Sequence, residues 1–256
     1  MAKLIGRSQP TGEPSMRLSI WATLLVATAS PLPGTAACVA QSGGGRPHLV
    51  ELYTSEGCSS CPPAEQWLST LRDKPAYVGM EFHVDYWDLK DWRDPYADSR
   101  YTARQKALAS HDTRSMIYTP QIRLDGRLWK DWPKGSPPDS TATRAPTLKI
   151  EIAAASALHV EVTSTGGSES DRVYVAVTED DLSNAIRGGE NRGRTLHHDH
   201  VVRAFAGPLP LGSANADLRV PKDLDRAHAS VVAFVQDTRD GTVSQVVSLP
   251  LRTCGS

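Results

Sequence analysis

Cys58-Ser59-Ser60-Cys61 is the stretch of this sequence best equipped for chemistry, with two thiols two residues apart and Pro62 and Pro63 directly after them. Thiols at this spacing form a redox pair, a structural disulfide or part of a metal site. At a helix N-terminus, unpaired N–H groups and a partial positive charge stabilise a thiolate over a thiol. Cys58 is then the acidic, exposed nucleophile, and Cys61, one turn in, the buried resolving thiol. Attack by Cys58 on a substrate disulfide gives a mixed disulfide that Cys61 displaces. A zinc site needs four ligands, usually two such pairs or one pair with histidines; the chain has four cysteines and no second closely spaced pair. A permanently oxidised structural bridge, and a Cu(I) carrier using both sulfurs and a histidine such as His83, are the other readings. A pair that follows a strand and opens a helix favours redox chemistry.

The neighbouring elements supply that setting. "HLVELYT", His48 to Thr54, reads as a strand with Leu49, Glu51 and Tyr53 on one side and Val50 and Leu52 on the other. After Cys61, the positions Ala64, Trp67, Leu68 and Leu71 recur at helical spacing, with the prolines in the first turn, where a missing N–H costs nothing. Ala76 to Trp87 reads as a second strand. The "YADSRYTARQKALASH" stretch reads as a helix capped by Asp98 or Ser99, and "TPQIRLDGRLWKDW" as two strands around a turn at Asp125-Gly126. The β-α-β-α-β-β order predicts a mainly parallel sheet ending in a hairpin. Residues 135–146 are rich in Pro, Ser and Thr and read as a linker. Beyond it, short alternating β-branched segments predict an antiparallel sandwich over 147–254.

The chain has 256 residues and a formal net charge of −1. That charge gives no electrostatic case for nucleic acid. Arg17, the apolar run Leu18 to Ala29 and the small residues after it have the layout of a secretory signal over 1–37, with Met16 as the expected start of translation. The run is shorter than the ~20 residues that span a bilayer, so no stable membrane span is expected. Thr35 stands where a lipoprotein signal carries leucine, which argues against lipidation at Cys38. An exported chain keeps disulfides; besides Cys58 and Cys61, Cys38 and Cys254 lie at the two ends of the mature chain and make a plausible second pair. In "TLHHDHVVR", His198 and His200 share one strand face, but a third metal ligand is not visible nearby and a polar strand end is the simpler reading.

"VELYTSEGCSSCPP" resembles the active-site stretch of the thioredoxin superfamily, and "YTPQIRLDGR", Tyr118 to Arg127, resembles its cis-proline segment. Together with "FHVDYWD", "TARQKA" and "GENRGRTLHHDHVVR", these are similar to a family of secreted bacterial thioredoxin-like proteins without an assigned activity. The resemblance implies an α/β thioredoxin-like fold over 46–134 followed by the antiparallel β-sandwich-like domain. It implies that Pro120 is a cis-proline against the disulfide, that Tyr118, Thr119 and Pro120 bind the substrate chain, and that Glu51 is a buried acid accepting the Cys61 proton. The Ser59-Ser60 dipeptide departs from the thioredoxin pattern and leaves the direction of electron flow open. The expected function is thiol–disulfide exchange on periplasmic or secreted proteins. It needs protein thiol or disulfide substrates, a redox partner, and no cofactor or metal. The competing class is a non-catalytic binding module with a structural disulfide.

Overall fold

The computed structural model describes residues 38–43, 45–88, 91–135, 145–152 and 158–254. The expected signal segment, and most of the expected linker, lie outside these residues. Among the described residues no helix is long and apolar enough to cross a membrane.

The chain is built mainly from strands. In order these are β1 (Cys38–Gln41), β2 (His48–Thr54), β3 (Tyr77–His83), β4 (Gln121–Leu124), β5 (Arg127–Leu128), β6 (Thr147–Ile152) and β7 (Leu158–Thr165). They continue with β8 (Asp171–Glu179), β9 (Leu182–Ala185), β10 (Thr195–His198), β11 (Val201–Leu209), β12 (Ser213–Leu218), β13 (Ala229–Asp237) and β14 (Val243–Pro250). The α-helices among the described residues are α1 (Pro62–Ser69) and α2 (Ser99–Ala109). Cys61 occupies the N-cap position of α1 with prolines behind it. Asp98 caps α2 by accepting a hydrogen bond from the Arg100 backbone N–H at 2.8 Å.

An eight-stranded sheet runs in the order β14-β13-β8-β11-β3-β2-β4-β5. This overturns the expected α/β thioredoxin-like domain followed by a separate sandwich. The chain is mainly β, and strands from both sides of residues 135–146 hydrogen-bond into one sheet. The junction is the pairing of β11 with β3, parallel and in register at Val201 and Glu81. Its physical reason is the edge of β3. Left alone, that strand would present unpaired N–H and C=O groups; β11 meets it at Val201, where the Glu81 N–H donates to the His200 carbonyl at 2.8 Å. Strand–helix alternation within residues 48–128 carries no information about which later strand closes that edge.

Each face of the large sheet has its own cover. The four-stranded antiparallel sheet β1-β6-β7-β12 packs Leu148, Ile150, Val160 and Val162 against Val173, Val175, Val231 and Val235. On the other face α2 sets Tyr101 and Leu108 against Leu49, Tyr53, Phe82 and Phe234. β2 is buried on both sides: Leu49 and Tyr53 face α2, while Val50 and Leu52 meet Ala64 and Leu68 of α1. A Cys38–Cys254 disulfide joins β1 to the end of the chain, with Cα atoms 5.1 Å apart. It closes a loop of sequence separation 216. Replacing both residues by serine is expected to cost up to ~5 kcal/mol on the chain-entropy account of cross-links. Urea unfolding of the double variant checks this; an unchanged midpoint would show that the bridge contributes nothing to stability.

Candidate functional site

Cys58 and Cys61 are joined by a disulfide, with Cα atoms 5.5 Å apart. The expected exposed Cys58 is not what the structure shows, because Cys58 and Cys61 are both 0% exposed. The segment after β9 covers them. Asn191 Nδ2 donates to the carbonyls of Glu56 and Cys58, both at 2.9 Å. Glu190 Oε2 accepts from the Ser59 N–H at 3.0 Å and from its hydroxyl at 2.6 Å. Gly189 N–H donates to Asp91 at 3.2 Å. Gly188 is needed there, since a Cβ would stand 2.2 Å from the Asp91 carbonyl oxygen. The exposed Ser60 places its hydroxyl 3.3 Å from Cys58 Sγ.

The Thr119–Pro120 peptide bond is cis, as is Gly207–Pro208. Thr119 Oγ1 accepts from Trp87 Nε1 at 2.7 Å. Trp87 also backs onto the cysteine turn: a Cβ on Gly57 would meet its carbonyl oxygen at 3.2 Å. Tyr118 is half-exposed and lines a cleft of about 510 Å³ with Arg114, Met116 and Leu128. Its carbonyl accepts from Gln105 Nε2 at 2.9 Å.

Glu51 is buried, but it shares the α2 face of β2 with Leu49 and Tyr53, opposite the face that α1 covers. Arg104 of α2 donates to it from Nε at 2.7 Å. The guanidinium carbon lies 5.1–5.7 Å from the ring centres of Phe82, Tyr174, Phe205 and Phe234, at cation–π distance. Burial works against the Arg104 charge, but the Glu51 carboxylate outweighs it and holds the guanidinium charged.

The acid on the α1 face is Glu65, one helical turn after Cys61 and buried. It accepts a short hydrogen bond from the Thr54 hydroxyl at 2.5 Å. Glu81 and His83 point to the same side, since their β2 partners in register are Leu52 and Thr54. The β9–β10 hairpin lays His198 over them. Glu81 Oε1 stands 2.8 Å from His83 Nε2 and 3.0 Å from His198 Nδ1. Asp94 Oδ2 is 2.7 Å from the other ring nitrogen of His83, and Glu56 Oε1 is 3.4 Å from that of His198. Tyr96 packs edge-on against both imidazoles.

The charges in this cluster set one another. Burial lowers the His83 pKa, but Asp94 and then Glu81 outweigh it and leave it well above the usual value. Burial likewise opposes the charge on His198, but Glu56 and Glu81 lift its pKa to about 10. Burial raises Glu81, and the two histidines more than reverse this. Glu65 is pushed up to about 7, by burial first and by Glu81 second.

The sequence reading named Cys58, Cys61 and Glu51 together; the structure brings the cysteines together at the start of α1 and puts Glu51 across the sheet. It missed Glu56, Glu65, Glu81 and Asp94. Two signals were present: a carboxylate in the middle of the apolar "YVGMEFH", and a glutamate four residues after Cys61 on the face that carries Ala64 and Leu68. The expected strand through "TLHHDHVVR" is interrupted. β10 ends at His198, and His200 takes a positive φ of 62° before β11 begins. His200 packs on Gly79, apart from the cluster.

A mainly β chain with two disulfides and a buried acid–histidine cluster is the class of protein defined so far. The model of a family described as "Protein of unknown function (DUF1223)" matches residues 49–236, and the chain belongs to that family. The resemblance to a thioredoxin-like family is corrected accordingly. No curated protein matches. Among solved structures, the chain is similar to protein AGR_C_4864 from Agrobacterium tumefaciens, with 22% identity, a TM-score of 0.56, and coverage of 81% of this chain and 96% of that one. It is also similar to HBP35 of Porphyromonas gingivalis, with 12% identity, a TM-score of 0.54, and coverage of 80% and 75%. At these identities the likeness is one of fold. The disulfides are compatible with a secreted or periplasmic protein.

The Glu51–Arg104 pair gives a direct test of this geometry. Glu51→Leu strands a buried guanidinium and is expected to cost about 3–5 kcal/mol, whereas Glu51→Leu with Arg104→Met recovers part of the loss. Denaturant titration of both variants checks this. Equal destabilisation would show that the stranded charge is not the cause.

Proposed function

We propose that the protein is an exported thiol–disulfide oxidoreductase acting on protein thiols and disulfides. The observation that supports this reading is a Cys58–Cys61 disulfide opening α1 beneath a cover held by polar contacts rather than by a packed core. Opening residues 187–194 frees Cys58 for attack by, or on, a partner sulfur. In the reducing direction the Cys58 thiolate attacks a partner disulfide, forms a mixed disulfide and releases one partner thiolate. The Cys61 thiolate then attacks Cys58 Sγ, restores Cys58–Cys61 and releases the second. Two electrons pass to the partner, and the reverse sequence oxidises it. Tyr118, Thr119 and Pro120 are the expected contacts for the partner chain.

The complete burial of both cysteines favours a second reading, a binding module with a permanent disulfide. A Cys61→Ser variant, which traps mixed disulfides, and the reduction potential of the pair separate the two. Exchange predicts trapped exported proteins; a potential below about −300 mV with none trapped supports the permanent bridge. Asn191→Ala removes the two hydrogen bonds to the cysteine turn, ~1 kcal/mol each, together with the one Asn191 accepts from Arg194, so dithiothreitol should reduce Cys58–Cys61 roughly tenfold faster or more. An unchanged rate, followed by thiol alkylation, would show that the cover does not control access.

A further inference from the structure

We infer that Glu81, His83 and His198, completed by Glu65, form a binding site for one divalent first-row transition ion, with zinc the best match to the donors. This site is separate from the cysteine chemistry and does not depend on it. One donor atom each from Glu81, His83 and His198 lie within 4.8 Å of one another, and all three residues are buried. His83 Nε2 and His198 Nδ1 converge on one oxygen of Glu81 at 2.8 and 3.0 Å. Around a tetrahedral zinc with ligands at ~2.0–2.1 Å, neighbouring donors stand roughly 3.3 Å apart. Lengthening the two contacts to Glu81 by a few tenths of an ångström therefore matches that spacing. Glu65 Oε2, 3.7 Å from His198 Nδ1, lies outside that compact set and would have to move toward it to serve as the fourth donor.

Two further observations point to a ligand. The second oxygen of Glu81 is buried and has no hydrogen-bond partner, and the same holds for Glu56 Oε2. Burying such a group without a partner is costly, and an ion held through both Glu81 oxygens would satisfy it. The His198 nitrogen facing away from Glu81 has Glu56 at 3.4 Å but no hydrogen bond, while that of His83 is hydrogen-bonded to Asp94 at 2.7 Å. That arrangement orients metal-bound imidazoles and raises their basicity. Two histidines and two carboxylates suit zinc better than the soft, sulfur-preferring Cu(I).

The test uses the untagged full chain, stripped with a chelator and with both disulfides intact. Titration with Zn²⁺ should show one equivalent bound and a raised unfolding temperature, and Co²⁺ should give the visible absorption of a tetrahedral ion. Cys58→Ser/Cys61→Ser should bind as wild type does. Asp94→Asn should weaken binding by roughly 10–100-fold, as expected for an outer carboxylate. His198→Gln and Glu81→Gln should weaken it more. No stoichiometric zinc and no cobalt band in the wild-type chain would overturn the site, and this result needs no variant to fold. Undiminished binding by folded His198→Gln and Glu81→Gln, or loss of binding in the cysteine variant, would also overturn it.

Discussion

Glu81 places a carboxylate at the middle of an eight-stranded sheet, where water cannot reach it, and the α1 face is organised around that charge. A buried carboxylate needs countercharge and hydrogen bonds. His83 supplies one from the same strand, and His198 the other from a hairpin 117 residues further along. The parallel join of β3 with β11 is therefore more than sheet closure. β11 begins just after β10, so the join holds the hairpin, and with it His198, over Glu81.

The opposite face follows the same rule with the signs exchanged. Arg104 carries a cation into an aromatic enclosure, and Glu51 neutralises it. Glu51 and Glu81 lie on neighbouring strands but point to opposite faces, because side chains alternate along a strand. Each half of the chain contributes to both arrangements. Both charge centres thus join residues 48–128 to residues 171–250, as the pairing of β3 with β11 does, so the boundary in composition near residue 140 is not a boundary in the sheet.

Much of the local structure was legible from the sequence. β2, α1, the Asp98 cap of α2, the turn at Asp125-Gly126 and the alternating strands of the C-terminal half follow from periodicity and turn chemistry. The merger of strands into one sheet was not, because pairing partners far apart in sequence leave no local trace. The same limit hid the acid–histidine cluster. "TLHHDHVVR" offered two histidines on one apparent strand face and no third ligand nearby; the structure breaks the strand after His198 and brings the missing partners from β3 and α1. Glu51 was misassigned for a simpler reason. Its period-2 partners, Leu49 and Tyr53, show which residues share its face, but not which helix covers that face.

The burial of Cys58 and the burial of Glu81 have different physical origins. Glu81 is enclosed by β-strands, α1 and a hairpin that meet through packed or charged contacts, so exposing it means separating elements of the fold. The cysteine turn lies against Trp87 and against a connecting segment fastened through the Asn191 amide, the exposed Glu190 carboxylate and the Gly189 N–H. Hydrogen bonds of this kind exchange with water at small net cost, because water replaces each partner as it leaves. The segment covering the disulfide therefore belongs to the low-stability end of the molecule, and the cluster beneath α1 to the high-stability end. That difference is consistent with the two proposals: reversible chemistry suits the cysteines, and a resident ion suits Glu81, His83 and His198.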